Sequence, residues 1–183
     1  MGWRRYRKKE AAQQQGTEGE ILARAEKKAL RILEMSDRSE EEIRKKLEEG
    51  GFPPHVVSEV CAWLKDLHYL DDARYARGFA LSRISRKSIA VIRMELRQKG
   101  IADDLIEDAC AEVSDQEPEA AYHAAVSYVG SKTCVPREKV IASILRKGFP
   151  YPEAREACRR LEEENPGILV SGSSRLQNPE NDS

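Results

Sequence analysis

Between Arg74 and Lys99 the chain carries eight basic residues, Arg74, Arg77, Arg83, Arg86, Lys87, Arg93, Arg97 and Lys99, against one acid, Glu95. The local charge of +7 stands in a chain whose net charge is -1. Counted from Arg86 at 100° per residue, Ile89, Ile92 and Leu96 fall between about 240° and 300°, and Arg86, Arg93 and Arg97 within about 20° of 0°. One stripe faces a core and the other presents guanidinium groups. A charged helix face is ordinarily a solvated one, neutralised by acids at i,i+4, but those acids are missing here. Arg86 and Lys87 also stand at or near the start of their helix, where the macrodipole disfavours cations by roughly a few tenths of a kcal/mol each. An anionic partner would compensate that cost.

Other reactive side chains read as structure. Cys61, Cys110, Cys134 and Cys158 form no C-x-x-C pair and have no histidine at ligand spacing, so reduced, structural thiols are expected. His55, His68 and His123 are isolated from any serine, cysteine or aspartate at a nucleophile spacing. Asp71-Asp72 could suggest acid-base or metal chemistry, but adjacent helical residues diverge by about 100° and no third ligand is at hand, so the pair reads as a helix cap. With no paired acids, phosphate loop or metal set, an enzyme is not expected, nor is a cofactor.

The elements that position the basic residues are helical. Charged residues make up 34% and aromatics 6% of the 183 residues, and β-branched runs are few, which favours an all-α fold. Ser39-x-x-Glu42 reads as a capping box, Gly50-Gly51 as a helix stop and Pro53-Pro54 as the next start. Aligning Gly51, Gly100 and Gly148, 49 and 48 residues apart, brings seven hydrophobic columns into register. They are Ile43, Ile92, Val140; Leu47, Leu96, Ile144; Phe52, Ile101, Phe149; Val57, Ile106, Ala154; Val60, Ala109, Ala157; Cys61, Cys110, Cys158; and Leu64, Val113, Leu161. A cysteine in the same column of every copy is what a small buried apolar residue looks like. Asp71-Asp72 and Ser114-x-x-Glu117 are expected to open the first helices of the second and third copies.

The expected fold is therefore all-α, with three tandem three-helix repeats stacked as an elongated, curved solenoid-like array. Its segments are a flexible basic arm over 1–19, repeats over 20–68, 69–114 and 115–163, and a disordered tail over 164–183. Trp3 and Tyr6 fall in the arm and read as an irregular terminus. Ile168 to Val170 offers an apolar patch in the tail without a docking place. No apolar stretch reaches the roughly 18 residues that a bilayer span needs, so no membrane association, a cytoplasmic location and a monomer are expected.

The repeats can be compared inside the one sequence. At the positions of Arg86, Arg93 and Arg97 the first copy has Asp37, Arg44 and Glu48, and the third has Cys134, Ile141 and Leu145. The fold does not need arginine there, and a basic central repeat suits a long anionic partner. Tyr69-Leu70-Asp71-Asp72-x-Arg74-Tyr75-Ala76, followed by Ile92-Arg93-x-Glu95-Leu96-Arg97-Gln98-Lys99-Gly100-Ile101, resembles the central motif of the RecX regulators of bacterial recombinase. Arg38-Ser39-x-x-Glu42-Ile43-Arg44-x-Lys46-Leu47 and Leu145-Arg146-x-Gly148-Phe149 resemble the motifs of the flanking repeats, and the likeness covers about Ala29 to Leu161. Ser88 departs from the pattern, which commonly has glycine there, but a serine can cap the following helix.

The resemblance implies tandem three-helix repeats and a non-enzymatic modulator of DNA repair, recombination and the SOS response. Such a protein lies in the groove of the RecA–DNA filament, inhibits its ATPase and strand exchange, and limits filament growth; DNA itself is the second implied partner. The eight cations from Arg74 to Lys99 are the expected contact residues. A sequence-nonspecific DNA-binding module is the alternative. A peptide-binding scaffold fits less well, because a period of 48 or 49 matches neither tetratricopeptide arrays nor longer two-helix repeats.

Overall fold

The computed structural model of the chain describes residues 16–170. The start of the expected basic arm, with Trp3 and Tyr6, and residues 171–183 of the expected tail lie outside the described residues. Within them the helices are α1 (Glu18–Met35), α2 (Glu40–Glu48), α3 (Pro54–Asp66), α4 (Asp72–Arg83), α5 (Ile89–Gln98), α6 (Asp103–Ala111), α7 (Glu117–Val129), α8 (Arg137–Arg146) and α9 (Tyr151–Glu164). All twenty-one residues of the seven columns are buried. Such side chains contribute about 1.5–3 kcal/mol each when large and fully removed from water, which is why the apolar period alone places the helices.

The described residues divide into two compact units, 16–78 with 95–107 and 79–94 with 108–170, so that α4, α5 and α6 each cross from one unit to the other. The middle repeat is thus shared between them. In the first unit the core gathers Ile21, Ala25, Ala29, Ile43, Leu47, Val57, Val60, Cys61 and Leu64 from α1, α2 and α3. In the second it gathers Ala121, Ala125, Val140, Ile144, Ala157, Cys158 and Leu161 from α7, α8 and α9.

Each first helix carries a fully buried alanine pair one turn apart: Ala25 and Ala29, Ala76 and Ala80, Ala121 and Ala125. This eighth and ninth column escapes the glycine-based register, because the spacer between first and second helix differs in length between copies. The small side chains let neighbouring helices approach closely.

Two helix starts differ from expectation. Helix α1 begins at Glu18, ahead of the expected boundary at residue 20, because Thr17 and Glu20 form a reciprocal capping box. Ser114 does not cap α7. It lies in a short 3-10 turn, Ser114–Gln116, with its hydroxyl donating to the Ala111 carbonyl 2.9 Å away. The Glu117 carboxylate that would complete that box accepts the Ile89 N–H instead, at 2.8 Å.

The expected disorder from residue 164 onward also gives way to a small ordered element. Leu169–Val170 pairs in parallel with Val135–Pro136, in the register Val135 to Leu169 and Pro136 to Val170. Val135 N–H donates to the Ile168 carbonyl at 2.9 Å, and the buried Val135 and Leu169 join the core of the second unit. This two-residue pairing is the only strand pairing among the described residues.

Candidate interface for an anionic partner

Helices α4 and α5 present the basic residues. Asp71 caps α4 by accepting the Arg74 N–H at 2.9 Å, while Asp72 reaches away from its own helix and accepts the Glu40 N–H at 2.9 Å, capping α2. The two acids read as one cap in sequence thus serve two helices. Ser88 caps α5, its hydroxyl accepting the Val91 N–H at 3.3 Å. At the other end Ile101 N–H donates to the Leu96 carbonyl at 3.2 Å across Gly100, whose φ of +78° suits a left-handed helix stop.

Arg86 does not lie on α5. It stands three residues before Ile89, in the turn after α4, with its N–H on the Arg83 carbonyl at 2.9 Å. The buried Ser88 must leave helical conformation to cap, which ends the row short of Arg86. Arg93 and Arg97 remain one turn apart on the helix.

Each unit holds four of the eight cations. In the first, Arg74 is exposed and donates to the His68 carbonyl at 3.3 Å, and Arg77 is exposed. Arg97 Nε pairs with Asp103 Oδ1 at 2.7 Å on the surface. Lys99 differs: half-buried, it places Nζ 2.9 Å from Glu42 Oε1 and 5.7 Å from the centre of the Tyr75 ring. Burial pulls the Lys99 ammonium down, but the Glu42 carboxylate and the Tyr75 hydroxyl outweigh it and hold the group above the ordinary lysine value. Lys99 is therefore committed to the fold.

In the second unit Arg83 is exposed, its guanidinium 5.0 Å from the Phe79 ring centre, and Arg86 is exposed without an acid partner among the described residues. Lys87 and Arg93 are half-buried and, like Arg77, engage other groups of the chain. The acids missing at i,i+4 are thus partly supplied from elsewhere in the sequence, Glu42 from 57 residues away. The strongest candidates for an external anion are Arg74, Arg83 and Arg86.

Sequence reading passed over Gly78 and Leu81, and took Tyr69 only as part of the family motif. Tyr69 and Leu81 are 54% and 56% exposed. Gly78 lies inside the unbroken helix α4, and a Cβ built on it meets no atom within 4 Å outside the adjacent helix backbone. A glycine inside a strong helical pattern was the available signal.

Comparison with known proteins places the same segments in register. A model described as "RecX, first three-helix domain" matches residues 25–64, and one described as "RecX, second three-helix domain" matches residues 71–109. The regulatory protein RecX of Salmonella arizonae is 36% identical over 154 residues, covering 76% of this chain and 92% of that protein. The regulatory protein RecX of Leuconostoc mesenteroides is 29% identical over 151 residues, 79% of this chain but 57% of the relative, so the chain spans little more than half of that protein. A crystal structure of a regulatory protein RecX superposes with a TM-score of 0.65 at 28% identity, covering 73% of this chain and 71% of the other.

Proposed function

The chain belongs to the RecX family, and from that membership we propose that it binds the RecA–DNA filament in its groove, inhibits its ATPase and strand exchange, and limits filament growth. The observation that carries this reading is the charge of +7 between Arg74 and Lys99, against -1 over the corresponding residues 25–50 of the first repeat and +4 over 122–147 of the third. Exposed guanidinium groups on that repeat suit the phosphates and carboxylates of a filament, and arginine pairs with both in a forked geometry. No helix of the described residues is long and apolar enough to cross a membrane.

The test is a RecA ATPase titration on single-stranded DNA with the unaltered chain and a variant carrying Arg83→Glu, Arg86→Glu and Arg97→Glu. All three side chains are exposed, so the helical content should hold while inhibition is lost. Full inhibition by the triple variant would contradict the reading.

Direct DNA binding is a second reading, favoured by the lack of an acid partner at Arg86. If about four or five phosphates are contacted, log affinity should fall with log salt at a slope of about -3 to -4.5.

A further inference from the structure

Gly78 sits in the interior of α4, where glycine is roughly 1 kcal/mol less favourable than alanine for a helix. Interior helical glycines usually answer to a neighbouring chain segment that leaves no room for a side chain. Among the described residues nothing does so, since a Cβ at Gly78 meets no atom within 4 Å outside the adjacent backbone of its own helix. The sister repeats confirm that the fold does not ask for glycine. Aligned on their buried alanine pairs, Ala25, Ala76 and Ala121, the first helices place Lys27, Gly78 and His123 in one column, and all three positions are exposed. Two repeats carry long side chains where the middle one carries none.

The surroundings of Gly78 give its neighbour a character. Around α4, measured from Arg74, Arg77 falls at about 300°, Gly78 at about 40° and Leu81 at about 340°, opposite the buried Ala76 and Ala80 at about 200° and 240°. Arg74 and Arg77 are exposed, as is Leu81 on the next turn of the same helix. Arginine together with an exposed leucine is the make-up of a protein-binding face; a phosphate strand offers the leucine nothing, whereas a carboxylate-bearing polypeptide can satisfy both.

We propose that Gly78 is the point of closest approach of an acidic protein segment, whose backbone crosses α4 in van der Waals contact at the glycine while a carboxylate of the segment pairs with Arg74. This rests on the filament reading above and deepens it: the segment would belong to the recombinase and not to its DNA. The glycine is kept bare for the partner's main chain, at a cost to the helix.

The experiment is equilibrium binding of the full chain to RecA–single-stranded DNA filaments and, separately, to the same DNA without RecA, with Gly78→Ala and Gly78→Leu beside the unaltered protein. Because the site is open, both variants should fold; alanine should raise Tm by about 2 °C. Gly78→Leu should bind filaments about tenfold more weakly or worse, keep its affinity for free DNA and keep its helical content, with Gly78→Ala in between. Unchanged filament affinity in Gly78→Leu overturns the docking point and leaves the regulator reading standing. A parallel loss on free DNA makes the occupant a nucleic acid and overturns the protein assignment. Failure of the unaltered chain to bind filaments at all removes the regulator reading, and the docking point with it.

Discussion

Ser39 Oγ donates a 2.6 Å hydrogen bond to the main-chain carbonyl of Lys99, 60 residues further on. The same hydroxyl accepts the Glu42 N–H at 3.2 Å, so one fully buried serine caps α2 and satisfies a carbonyl at the end of α5. Forty-nine residues later Ser88 repeats the arrangement in the second unit: it caps α5, and its hydroxyl lies against Gly148, at the end of α8. The acids recur too, since Asp72 accepts the Glu40 N–H and Glu117 the Ile89 N–H. Each joint therefore uses a serine and a carboxylate to pin the start of one repeat's second helix.

Ser39→Ala removes both hydrogen bonds and leaves buried groups without partners. A loss of roughly 2 kcal/mol is expected, seen as a fall in Tm of about 4–8 °C by circular dichroism.

The three glycines of interest should respond differently to alanine. Gly100 has φ +78°, and its added Cβ would come within 2.4 Å of Glu41 Cβ; Gly148 has φ +87°, and its Cβ would come within 2.5 Å of Val91 Cγ2 and 2.7 Å of Ser88 Oγ. Both substitutions should cost more than about 2 kcal/mol, through left-handed backbone and overpacking together, whereas Gly78→Ala should gain about 0.5–1 kcal/mol. Urea unfolding midpoints of the three variants measure this order.

Acid should loosen the first unit through Glu42. Burial pushes its carboxyl up, but the Lys99 ammonium, the Ser39 N–H and Arg38 outweigh burial and hold it below the ordinary 4.5. A depressed folded pKa means that the stabilisation is complete above 4.5 and disappears as pH falls through the folded value. Asp72 opposes this, since burial first of all raises its carboxyl above 3.8. Between pH 7 and about pH 3, Glu42→Gln should lose less stability than the parent; an equal loss would show that the carboxylate does not carry the effect.

Lys99 separates structural from exposed cations. Lys99→Glu sets an acid against Glu42 and should cost about 3 kcal/mol, whereas Arg86→Glu should change stability by about 0.5 kcal/mol or less. Chemical denaturation of the two variants at neutral pH gives the comparison directly.

Thiol accessibility should divide the cysteines. Cys61, Cys110 and Cys158 are buried, and burial raises the Cys61 and Cys158 thiols above the ordinary 9.0, whereas Cys134 is exposed. An aromatic disulfide reagent should modify Cys134 in the native protein and the other three only after denaturation. Rapid reaction of a second thiol would mean that a helix core opens readily.

What was legible and what was not follow one physical line. The seven columns were readable because burying an apolar side chain depends on its own type and spacing, and every one of those residues is buried. The capping box at Thr17 was equally local, Thr17-x-x-Glu20, but lay in a stretch that composition marked as an arm. The Ser114 box failed for the opposite reason: its Glu117 serves Ile89, 28 residues earlier, and a distant claimant leaves no local trace.

By itself the sequence determined the helices, the threefold register, the buried cysteines and the concentration of arginine and lysine in the middle repeat. Tertiary structure decided which of those cations are committed, because a carboxylate such as Glu42 is brought to Lys99 only by folding across 57 residues. It decided that Arg86 leaves the helix that Arg93 and Arg97 share, since Ser88 turns from helix residue to cap. It also decided that Gly78 faces open space. Periodicity encodes which side of a helix is apolar, but not which polar groups meet across the fold or what a bare position confronts.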